Sequence, residues 1–93
     1  MKKYTRENLI RIDSYVLEFL KDNEKLNREF AVNELSLEIL KTIFPVESDD
    51  PELFLSYVIN EMQAEMINKN LNIPISFDFG NFEYNFQRYG EYK

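Results

Sequence analysis

Residues 9–20 read LIRIDSYVLEFL. Leu9, Ile12, Val16, Phe19 and Leu20 recur at three- and four-residue spacing, and Ile10 and Leu17 widen the stripe. That period predicts an amphipathic helix. Thr5 suits its N-cap, with Arg6, Glu7 and Asn8 in the first turn, so the helix is expected over residues 5–21. The polar run KDNEKLN then breaks the pattern.

The same period continues on both sides of the next breaks. Phe30, Leu37, Leu40 and Phe44 fall on one line, with Val32, Leu35, Ile39 and Ile43 beside them. A second helix is expected over 27–44, capped by Asn27 and stopped by Pro45, because the residue before a proline is pushed out of the α region. In VESDDPEL, Asp50 suits an N-cap and Pro51 the first helical position, where a missing N–H costs nothing. The third helix is expected over 51–68, carrying Phe54, Val58, Met62 and Met66.

Beyond NKNLNIP the period drops to two. Ile73, Ile75, Phe77 and Phe79 alternate with polar residues, and so do Phe82, Tyr84 and Phe86. Gly80-Asn81 between them fits a type II′ turn, so a hairpin is expected over about 73–88. It pairs Phe79 with Phe82, Phe77 with Tyr84 and Ile75 with Phe86. The expected fold is mainly α: a three-helix layer or small bundle with a C-terminal β-hairpin packed against it. Residues 1–93 form one compact domain in this reading.

Composition excludes several chemistries. The chain has no Cys and no His. Thiolate and imidazole zinc sites, His-based triads and haem ligation are therefore ruled out. Glu61 and Glu65 lie four apart, which alone does not make a metal site. No catalytic signature is present, so the expectation is no enzyme, no metal and no cofactor. No stretch is long and apolar enough for a membrane helix, and Glu7, Asn8, Arg11 and Asp13 interrupt the basic start. A cytoplasmic protein is expected.

The formal charge of −6 is unevenly spread. Residues 1–28 hold seven Lys/Arg and five Asp/Glu; residues 29–66 hold one Lys and nine acids; residues 67–93 hold three of each. Three helices and a hairpin also give the element order of a winged helix-turn-helix. The third helix, however, offers Glu52, Glu61 and Glu65 where a groove reader needs cationic or amide groups. With Asp78 and Glu83 on the wing, nucleic-acid binding is not expected.

The reading that remains is a small acidic protein that binds another protein, as an inhibitor, immunity-type or regulatory partner of a basic target. Acidic residues Glu34, Glu38, Glu47 and Asp49, with Tyr89 and Tyr92 as aromatic anchors, are the expected contact residues. Tyr89 and Tyr92 lie beyond the hairpin, so cutting after Arg88 is expected to leave the domain folded. The alternative is a self-associating structural subunit, since the broad apolar arcs of the second and third helices need cover. A DNA-binding regulator ranks below both.

Overall fold

The computed structural model describes residues 9–45, 53 and 56–92. Its centre is a four-stranded antiparallel sheet, not a layer of three helices. Strand β1 spans Leu9–Leu20 and β2 spans Leu26–Ala31. Helix α1 (Leu37–Ile43) precedes the short β3 (Tyr57–Val58) and α2 (Glu61–Lys69); β4 (Phe82–Tyr92) closes the chain. The sheet order is β2-β1-β4-β3.

LIRIDSYVLEFL is therefore a strand. Ser14, Val16 and Glu18 face the helices, while Asp13, Tyr15, Leu17 and Phe19 face the other side. A central strand carries apolar residues on both faces, and the two sets together imitate a helical stripe. The β-branched and aromatic content of the stretch fits a pleated surface. The chain turns back through residues 21–25. There Leu20 N donates to Lys25 O, Asn23 Oδ1 accepts from Lys25 N, and Glu24 takes a left-handed φ of 58°. β2 then pairs with β1, setting Phe30 opposite Val16. The expected helix over 27–44 survives only as α1.

Local chemistry sets the helix ends. The Ser36 hydroxyl accepts from Ile39 N to start α1, and Phe44, extended ahead of Pro45, stops it. The third helix begins later than expected. Tyr57 and Val58 pair with Phe86 and Asn85, and Asn60 caps α2. Asn60 and Gln63 form a reciprocal capping box, with bonds of 2.8 and 2.9 Å. The Gln63 side chain also donates to Ile43 O, tying the start of α2 to the end of α1. The expected caps at Thr5, Asp50 and Pro51 lie outside the described residues.

The expected hairpin is also replaced. β4 pairs along its length with β1, from Leu20 opposite Phe82 to Leu9 opposite Tyr92. Residues 74–78 stay outside the sheet. Pro74 cannot donate to a ladder, and the Asn68 amide takes both backbone groups of Ile75 at 2.9 Å. No glycine has positive φ, so the chain does not reverse at Gly80 through a type II′ turn. Asp78 organises the reversal instead: its carbonyl accepts from Asn81 N and Phe82 N, and its carboxylate from Gly80 N and the Asn81 amide.

Both helices pack on one face of the sheet. Phe44 stacks on Phe86 at 4.9 Å, and Leu40, Ile67 and Tyr84 are buried around them. Ile75 joins this core, and Phe77 and Phe79 set their edges or faces near the Tyr84 ring at 4.8 and 5.2 Å.

Candidate functional site

The most polar feature of the interior is Glu18. Its side chain is completely buried, on the helix-facing side of the central strand. Arg28, its cross-strand partner, donates from Nε to Oε1 at 2.8 Å and from Nη2 to Oε2 at 3.0 Å. Asn27 donates to Oε1 at 2.7 Å, and the Tyr84 hydroxyl to Oε2 at 2.6 Å. Asp78 N in turn donates to the Tyr84 hydroxyl.

Four donors fill the acceptor capacity of this carboxylate. The fork from Arg28 is the main reason its pKa falls to about 2, with Tyr84 and Asn27 adding to the effect against the cost of burial. The Tyr84 hydroxyl is pushed up to about 12, first by burial and then by its bond to Glu18. A carboxylate held ionised with no open lone pair does not suit proton transfer or metal ligation. The network pins β1, β2, β4 and the turn at Asp78 to one another.

The opposite face of the sheet has a different character. Tyr15, Leu17 and Phe19 of β1 lie there, with Tyr89 of β4 and Val58 of β3. The Tyr15 and Tyr89 rings meet diagonally across the strands at 5.7 Å. Tyr89 is 45% exposed and Val58 74%. Among the described residues, no helix packs on this face. A shallow depression of about 310 Å³ lies between Phe19 and Val58, with Glu24, Glu83 and Asn85 at its edge. The charged strand side chains described on this face are Asp13, Glu29 and Glu83, all acidic.

The sequence match runs from Asp13 in β1 to Gln87 in β4, taking in the Glu18 centre and the open face short of Tyr89. The chain belongs to the family described as Domain of unknown function (DUF7683). No curated protein and no solved structure matches it.

In this DUF7683 chain the residues singled out from sequence are dispersed. Glu34 lies in the turn before α1, where its Oε2 accepts from Asn72 N at 3.1 Å. Glu38 is in the first turn of α1, where a negative charge suits the helix dipole. The two are thus not stacked on one helix. Glu47 and Asp49 lie outside the described residues. Tyr89 is on the open face, and Tyr92 pairs through its backbone with Leu9. Both belong to β4, so the stretch after Arg88 is part of the sheet. Tyr15, Phe19 and Glu83 join Tyr89 on that face, and Glu18, Arg28 and Tyr84 form the polar centre. The only trace of that centre in the sequence is one acid inside the apolar run VLEFL.

No group of metal-ligating side chains is gathered among the described residues. No helix among them is long and apolar enough to cross a membrane.

Proposed function

We propose that this protein is a non-enzymatic binding partner, an inhibitor or regulator that docks the open face of its sheet onto a basic surface of another protein. The observation carrying this reading is the open face itself: Tyr15, Phe19 and Tyr89 stand among Glu29 and Glu83, with no described Lys or Arg on the strands there. Rigid rings bury much area at small entropy cost, and the acids steer a cationic partner into place. A second copy suits this face less well. Isologous stacking sets Glu29 and Glu83 against like charges of the copy. A cytoplasmic location accords with the cysteine-free sequence.

A photo-crosslinking residue at position 89, compared with one at the exposed Met62 on α2, tests the reading in the native host. The expected result is one defined partner captured from position 89 and not from 62. Its association rate falls as salt rises, and Phe19→Ser or Tyr89→Ser weakens binding about tenfold with the fold retained. Capture from position 62 alone, or a rate indifferent to salt, overturns it.

A further inference from the structure

β2 is an edge strand, and its outer side opens onto a groove of about 580 Å³. The far wall is the irregular segment 71–76, held by the bond from Asn72 N to Glu34 and by the Asn68 clamp on Ile75. The direction of the β2 backbone groups follows from its register. Val32 N donates to Ser14 O, so Ser14 and Val32 face each other in the bonding position. The pairs Val16–Phe30 and Glu18–Arg28 share that parity. Glu29 and Ala31 therefore aim their N–H and C=O groups away from β1 and into the groove. Among the described residues nothing accepts from or donates to them.

The charge of the groove is equally defined. Arg28, Glu29 and Glu34 line it. The Arg28 guanidinium is engaged by the buried Glu18 carboxylate and lies 5.2 Å from the Phe30 ring centre. Glu29 and Glu34 have no such cation beside them among the described residues. Native edges are often guarded by charge. Here the Arg28 guanidinium, though half exposed, is engaged by Glu18, leaving Glu29, Glu34 and, on that side, a row of backbone groups without partners among the described residues.

We propose that the β2 edge takes an extended, Lys- or Arg-bearing peptide segment by strand addition, its backbone pairing with Glu29 and Ala31 and its cationic side chains meeting Glu29 and Glu34. This rests on the protein-binding reading above and shares Glu29 with it, but it seats the partner on the backbone edge of β2 rather than on the aromatic face, so the two fail separately.

The test uses the full chain and a fluorescein-labelled, end-capped peptide of alternating valine and lysine. Its control is the same peptide N-methylated at alternate amides, which keeps the charge and removes one bonding edge. The unmodified probe is expected to bind about tenfold tighter than the control and to protect the Glu29 and Ala31 amides from hydrogen exchange. Ala31→Pro, which removes only an outward N–H, is expected to weaken the probe about tenfold while β1–β2 pairing persists. The double change Glu29→Gln and Glu34→Gln is expected to flatten the salt dependence. Equal binding of the methylated control overturns the proposal, as does unchanged exchange at Glu29 and Ala31. Dimerisation that protects these amides without probe also overturns it, in favour of a second copy. Probe binding that leaves the Glu29 and Ala31 amides exchanging but is lost in Phe19→Ser or Tyr89→Ser sinks the edge proposal and leaves the open-face reading standing; edge protection without capture from position 89 does the reverse.

Discussion

At Glu18 the carboxylate is buried and bonded to four donors, so its protonation is tied to folding. Its folded pKa of about 2 lies below the ordinary value of 4.5. The folded state therefore binds fewer protons than the unfolded state in this window. The stabilisation, about 3 kcal/mol, is present above the unfolded pKa and is lost as pH falls through the folded one. Acid titration of stability should show this loss in the parent chain and not in Glu18→Gln. That variant should be about 3–5 kcal/mol less stable at neutral pH, because its amide cannot accept all four donors and Arg28 loses its counter-charge. Tyr84 bounds the other side. Its raised pKa contributes stability below the ordinary tyrosine range of 10, lost as pH rises through about 12. Tyr84→Phe should remove that alkaline component and cost about 1–3 kcal/mol in urea unfolding, since Asp78 N also loses its acceptor.

Elements were legible where a residue acts on its own neighbours. Pro45 ends a helix because its ring acts on Phe44 directly. Alternation in 82–86 marks a strand because its core-facing side alone is apolar. What could not be read was pairing. β1 carries apolar residues on both faces of the sheet, one covered by the helices and one open, so its apolar pattern has no single period. The partner of β4 lies across most of the chain rather than across Gly80-Asn81. The open face was legible only at Tyr89, since Phe19 reads as part of a helical stripe and Tyr15 falls outside it. Two local features were decisive and testable. Asn60→Ala should lower stability by about 1 kcal/mol by breaking the capping box with Gln63. Glu24, left-handed in the β1–β2 turn, should raise stability by roughly 0.5 kcal/mol when changed to Asn, which tolerates that backbone better. Thermal unfolding of both variants measures the two signs.

The whole sheet depends on its last strand. β4 lies between β1 and β3, and its final residues bring the C-terminal end of the strand against the first residues of β1, Tyr92 opposite Leu9. Shortening the chain after Arg88 removes four of the eleven residues of β4 and unpairs Leu9–Asp13 from them. The exposed rings and the ladder are therefore separable only by substitution. Tyr89→Ser removes the ring that meets Tyr15 but leaves every backbone bond, and should cost only about 0.5–1 kcal/mol. Truncation removes ladder bonds as well as side-chain contacts, and should cost several-fold more, roughly 3 kcal/mol. The two variants compared in urea, with hydrogen exchange read at Arg11 and Asp13, whose backbone groups face β4, distinguish a strand from a tail. Loss of exchange protection at these β1 amides in the truncated chain alone is the expected outcome; equal stability of the two variants would mean that residues 89–92 do not hold the sheet together.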